Sequence, residues 1–217
     1  MKLIIGNKNY SSWSLRPWLA LKAFSVPFEE IELRLFTDDF YSELVKHSPV
    51  GKVPVLVDGD INVWDSLAIC EYLNENHLDN RGWPENKNLR AEARSYVAEM
   101  HSGLFAVRGE MPMNCRGKKK IFLSSEAKKE VEWLDNTWAK LRTQNEIKGD
   151  YLFGEFSLAD AFFAPIVFRF ATYGIEVSEQ SKDYLKTMLA HPAMQEWLKS
   201  AEAEDAVIDV AEVGEAV

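Results

Sequence analysis

Two serines at the expected start of a helix, a valine–proline step and an aspartate–serine pair are the residues best placed to hold a small polar ligand. The serines lie in Tyr10-Ser11-Ser12-Trp13-Ser14-Leu15-Arg16. Serine is a favoured N-cap, and the free N–H groups and dipole of a helix start favour negative charge. Ser11 and Ser12 can therefore cap the helix or steady an anion beside it. Val53-Pro54 stands at the mouth of a short apolar run. Proline is tolerated where an edge strand begins, and the residue before it can offer its N–H and C=O to a peptide as an added strand would. Asp65-Ser66 opens a second helix. It reads as an ordinary cap or as a cradle whose N–H groups bind a carboxylate.

The other reactive residues form no array. Cys70 and Cys115 are far apart and lie in no CxxC or Cys/His pattern, so neither a disulfide framework nor a zinc site is expected. His47, His77, His101 and His191 have no ligand spacing, and no metal is expected. The formal charge of -9 argues against non-specific binding to nucleic acid or to an anionic membrane, since both need positive surface. The basic run Arg116-Gly117-Lys118-Lys119-Lys120 reads as a solvated loop. Apolar runs fall short of the roughly 18 residues of a membrane span, and Met1 to Gly6 is too brief for a secretory signal. The expected location is the cytoplasm.

The elements around these residues follow from periodicity. With 217 residues, 47% apolar and 27% charged, the chain can form one large soluble domain or two modest ones. Lys2 to Gly6 reads as a buried strand, and Leu15 to Phe24 as a helix apolar nearly all round. Residues 28 to 35 alternate, with Ile31, Leu33 and Leu35 on one face. Strand, helix and strand in that order imply parallel pairing. Asp38 to Lys46 is a weaker helix, with Phe40, Leu44 and Tyr41 as its inward residues. Val53 to Val57 and Ile61 to Trp64 form a hairpin across Asp58-Gly59. A helix then runs from Asp65 or Ser66 to about Asn76. The fold class is α/β plus all-α: a thioredoxin-like βαβ-α-ββα domain over 1–78, a linker over 79–88 and an all-helical domain over 89–217. In the second domain helices are expected from Leu89 to Met111 and from Ser124 to Thr143. A further helix opens at a Ser157/Asp160 capping box with Pro165 inside it. The acidic tail is expected to fray, and no strand pair is expected beyond the linker.

This arrangement resembles the cytosolic glutathione transferases across essentially the whole chain. Val53-Pro54 resembles the family's Val-Pro, whose proline is cis and whose preceding residue holds the cysteinyl part of glutathione. Asp65-Ser66 resembles the acidic-or-Gln/Ser pair that takes the γ-glutamyl group, and Ser157 to Asp160 the capping box of the buried second-domain helix. The Ser11 to Arg16 stretch is similar to the Ser-Ser-Cys-Ser-Trp-Arg pattern of the zeta, maleylacetoacetate isomerase-like, class. It departs from that pattern at Trp13, Leu15 and Pro17. The resemblance implies a serine-type transferase, with Ser11 or Ser12 activating the thiol. Lys52, Val53, Pro54, Asp65 and Ser66 would bind glutathione, with Lys52 either pairing the glycyl carboxylate or facing water. Trp13, Arg108 and Met111, with Tyr10, Met100 and Phe105, would face a small electrophilic second substrate, and Arg16 would brace the first helix against the second domain. The family also implies a homodimer.

The chemistry then required is modest. A glutathione thiol has a pKa near the ~8.5 of free cysteine, and lowering it by two units corresponds to about 2.7 kcal/mol. A hydroxyl donating to sulfur, aided by a helix start, can supply an effect of that order. A non-catalytic binding or assembly module on the same fold is the alternative. Glutathione-dependent disulfide or peroxide reduction is disfavoured, because no cysteine lies in the first helix turn.

Overall fold

Leu3, Ile4 and Ile5 form the central strand of the chain in the computed structural model, which describes residues 1–217. This strand, β1 (Lys2–Gly6), pairs parallel with β2 (Glu29–Leu33) and antiparallel with β3 (Val55–Asp58). Edge strand β4 (Ile61–Trp64) pairs antiparallel with β3, giving the order β2-β1-β3-β4. The β1–β2 crossover is α1 (Ser12–Ala23), whose buried residues run without a break from Ser14 to Leu21. Gly59 sits at φ +57 in the β3–β4 turn, the left-handed conformation that glycine adopts without steric cost.

Helix α2 (Asp38–Leu44) is capped by the Thr37 hydroxyl and buries Phe40 and Leu44. Tyr41, expected to point inward, is exposed: next in sequence to buried Phe40, it falls on the helix's outer side. Helix α3 (Ser66–Asn76) follows β4 and buries Ile69, Cys70 and Leu73.

The single helix expected from Leu89 to Met111 is two, α4 (Lys87–Ser102) and α5 (Phe105–Glu110). Gly103 ends the first, and Leu104 at φ +54 turns the chain before the second begins. The Glu130 carboxylate accepts from the free N–H groups of Ala106 and Val107 at the start of α5. Glu130 lies on α6 (Ser125–Asn145), which precedes α7 (Leu158–Tyr173), α8 (Glu179–Ala190) and α9 (Pro192–Ala203). Helix α7 is buried on every side and packs against α1 and α4, so the main apolar core spans both halves from Leu3 to Ala201, with a small second cluster of Ile4, Phe40, Leu44 and Val55 under α2. Ser157 and Asp160 form the expected capping box at its start. No helix is long and apolar enough to cross a membrane.

The end of the chain corrects three expectations. The acidic tail is pinned rather than frayed: the Glu204 carboxylate accepts from the backbone N–H groups of Lys8 and Asn9. Glu212 accepts from the Tyr10 hydroxyl at 2.7 Å and from Asn114 Nδ2 at 2.8 Å. The basic run is only in part a solvated stretch: Lys118 and Lys120 are exposed, while Arg116 and Lys119 meet this tail. Arg116 donates to the carbonyls of Glu204 and Ala206, and Lys119 pairs with Glu212 at 3.0 Å. A two-stranded ladder also forms beyond the linker, between β5 (Lys119–Lys120) and β6 (Glu215–Ala216). Cys115, next to the basic run, is buried, and burial pushes its thiol well above the usual range. Truncation after Ala203 should therefore cost on the order of 2 kcal/mol, by leaving the Lys8 and Asn9 donors without acceptors. An unchanged urea midpoint in the truncated chain would show the tail to be ornamental.

Candidate active site

A cleft of about 420 Å³ is lined by Trp13, Val50, Lys52, Val53, Pro54, Trp64, Asp65 and Ser66. Six of these were singled out in the sequence, and the volume suits a small ligand. The sheet accounts for the convergence. Antiparallel β3 and β4 bring Val53 and Asp65, at opposite ends of the hairpin, to the same edge, and α1 starts beside them. The Val53–Pro54 peptide is cis.

Asp65 caps α3 in an unusual conformation, with φ +71 and ψ 131. A non-glycine residue there costs on the order of 1–3 kcal/mol, which the surrounding contacts must offset. One carboxylate oxygen accepts from the N–H groups of Leu67 and Ala68 at 2.8 and 3.3 Å. The other faces His101 Nε2 at 3.2 Å, and the side chain remains 46% exposed toward solvent. Desolvation pushes this carboxyl up, but the His101 and Leu67 contacts outweigh it and hold the group below its ordinary value. Ser66 N–H stands first in the helix, where no preceding carbonyl can accept it.

Beneath Ser66 lies Arg16, only 1% exposed. Its Nη1 donates to Ser66 Oγ at 3.3 Å and faces His101 Nδ1 at 3.5 Å, while its Nε has no partner. The guanidinium lies over Trp13 and, across the domain junction, over Phe162. Burial pulls its pKa down to about 9, with repulsion from Arg169 and Arg108 adding to the effect. The bracing role expected for Arg16 fits these contacts.

Ser11 and Ser12 lie at the start of α1 but do not line the cleft; Trp13 does. The Ser11 hydroxyl makes no capping bond. It lies 2.7 Å from Ser14 Oγ, and that oxygen accepts from Gly6 N–H at 3.1 Å. Ser12 is partly exposed. Among the candidates for the second-substrate side, the Arg108 guanidinium stacks over Trp13 at 4.8 Å and over Phe105 at 5.7 Å, and Phe105 is exposed. Met111 does not belong with them: its side chain is fully buried in the core, and its carbonyl accepts from Arg169 Nε. Met100 is buried likewise, and Tyr10 is turned away to Glu212.

A larger cleft, about 840 Å³, lies around residues 79–90 and Lys148 to Ser157. It holds none of these residues. No group of three or more His, Cys, Asp or Glu side chains comes together anywhere.

Comparison with known proteins decides what this site belongs to. Residues 10–76 match the glutathione S-transferase N-terminal domain, and residues 124–200 the glutathione S-transferase C-terminal domain. Glutathione S-transferase Z1 of Arabidopsis thaliana is 31% identical over 170 residues, which cover 73% of this chain and 74% of that one. The chain belongs to the glutathione S-transferase family. A probable maleylacetoacetate isomerase of Caenorhabditis elegans is 29% identical over 171 residues, 77% of each chain. A glutathione transferase homolog from Burkholderia gl BGR1, solved with bound glutathione, superposes with a TM-score of 0.72 at 23% identity. That match covers 94% of this chain and 98% of the other, and it supports the two-part fold. The zeta-class motif seen at Ser11 to Arg16 thus has zeta-class and isomerase relatives behind it. Kinship of this extent makes the protein a glutathione-dependent enzyme of the transferase type.

His101 was missed by sequence reasoning. A signal existed: Ala93, Val97 and His101 share one stripe of α4, and the first two are buried. An ionisable residue on an inward stripe needs a partner there.

Proposed function

We propose that the cleft binds glutathione and activates its thiol, either for attack on a small electrophile or for cis–trans isomerisation of a cis-alkene acid, in a cytoplasmic homodimer. The observation that carries this is the meeting of Val53-Pro54, the Asp65-Ser66 helix start and the first turn of α1 at one cleft. Val53 presents its backbone to the cysteinyl part of the ligand. Ser66 N–H meets the γ-glutamyl carboxylate, and Asp65 meets the α-amino group, which is a cation at neutral pH. Lys52 is exposed at the rim, where it can pair with the glycyl carboxylate. A ligand so held extends its sulfur toward Ser11 and Ser12. There Ser14 Oγ accepts from Gly6 N–H and can donate its own O–H to Ser11 Oγ, the arrangement in which the Ser11 proton is free to donate to sulfur. The Trp13–Arg108–Phe105 stack borders the same point from the helical half and is the proposed electrophile side.

The test is titration with glutathione, followed by calorimetry and tryptophan emission, because Trp13 and Trp64 line the cleft. Heat with a Kd below millimolar and a changed emission are expected, together with turnover of 1-chloro-2,4-dinitrobenzene or a maleyl acid. Absence of heat at millimolar glutathione would remove the proposal. Binding without turnover of either substrate type would favour a non-catalytic module on the same fold.

A further inference from the structure

The only side chain from the helical half that grips the Asp65 carboxylate is His101, and no role in the proposed chemistry has yet been given to it. One Asp65 oxygen is committed to Leu67 and Ala68, and the other faces His101. A carboxylate oxygen has two acceptor sites, so this second oxygen can take His101 and one further donor from the cleft. The imidazole is itself held in place. Trp13 stacks edge-on to it at 5.3 Å between centroids, and Phe162 lies 6.2 Å away. Arg16 Nη1 faces its Nδ1, and because a guanidinium only donates, Nδ1 is the acceptor. The ring proton is thereby placed on Nε2, aimed at Asp65. Asp65, His101, Arg16 and Ser66 close a ring in which the last residue is the chain neighbour of the first.

We propose that His101 is a positioning residue that fixes the Asp65 carboxylate in the orientation that receives the α-amino group of glutathione. The inference rests on the proposed glutathione binding and adds a second-domain residue to it. Without His101 the carboxylate keeps its hold on the helix start, but its free oxygen is no longer directed, and the ammonium loses a fixed partner.

The test compares glutathione with its des-amino analogue, glutaryl-cysteinyl-glycine, on wild type, His101→Leu and His101→Gln. His101→Leu should weaken glutathione about tenfold, the size of one charge-assisted contact, while leaving the analogue unchanged. His101→Gln, which keeps an N–H donor, should recover part of the loss. Unchanged glutathione affinity in His101→Leu overturns the inference. So does an equal loss for both ligands, since the histidine would then merely support the fold. Failure of the proposed function looks different: the wild type itself would bind neither ligand, and the inference would fall with it.

Discussion

Replacing Ser11 and Ser12 together with alanine is expected to lower kcat/KM with glutathione by about 10²-fold and to raise the Kd for glutathione only about fourfold at pH 7. The size follows from a thiol pKa lowered by two units from ~8.5: when that shift is lost, the bound thiolate fraction at pH 7 falls about 25-fold and affinity about fourfold, roughly 10² together. Binding should survive, because the residues that line the cleft do not include either serine. Most of the loss should appear in Ser11→Ala alone. Ser14 Oγ accepts from Gly6 N–H and lies within hydrogen-bond distance of Ser11 Oγ, so Ser11 is the serine already held in place before the ligand arrives. Ser12 is partly exposed and belongs to no such contact. The sign of the pH dependence is fixed too. Activity rises with pH as thiolate forms, and in the variants that rise should shift upward toward the pKa of the free thiol. Thiolate absorbance of bound glutathione, titrated in wild type and variants, measures the shift directly. Undiminished turnover in the double variant would rule out serine activation.

The largest stability effect is expected at Asp160. Its carboxylate accepts from the Leu152 and Ser157 N–H groups, the Ser157 hydroxyl and the Tyr184 hydroxyl, all within 3.2 Å, and it has no access to water. Asp160→Ala leaves several donors buried without an acceptor at about 1–3 kcal/mol each, so a loss of roughly 3–5 kcal/mol is expected. For a chain of this length that corresponds to a fall in Tm on the order of 10 °C. Burial pushes the Asp160 carboxyl up to about 6, against the pull of its hydrogen bonds. A raised carboxyl favours the folded state when protonated. Its contribution is fully present below the unfolded value of 3.8 and is lost as pH rises through about 6. Wild type should therefore lose stability relative to Asp160→Asn across that window, where the amide cannot titrate. Parallel stability profiles for the two proteins would contradict the assigned shift.

Much of this was legible locally. The hairpin (its turn one residue later than expected, at Gly59-Asp60 with Asp58 still in the strand), the alternation of β2, the continuous burial of α1 and the Ser157/Asp160 cap are features in which neighbouring residues decide the structure. The Val53-Pro54 and Asp65-Ser66 pairs were legible because each sits at an element boundary, where backbone groups are free to take a ligand. What escaped depends on distant partners. Met111 and Met100 have helical spacing compatible with a pocket wall, but α7 covers them, and spacing does not say what lies opposite. The basic run and the acidic tail each look like solvated charge, and they become structural only against each other. His101 is of the same kind, since its meaning comes from an aspartate in the other half.

The tail also has a consequence for the order of synthesis. The turn that leads into α1, Asn7 to Tyr10, leaves the ribosome long before its partners do. Its acceptors, Glu204 and Glu212, are made some 195 residues or more later. The sheet can assemble while translation continues, but the reactive turn waits through some 195 further residues for its final contacts. A nascent chain halted before Glu204 would carry the cleft residues without the contacts that fasten the turn ahead of Ser11.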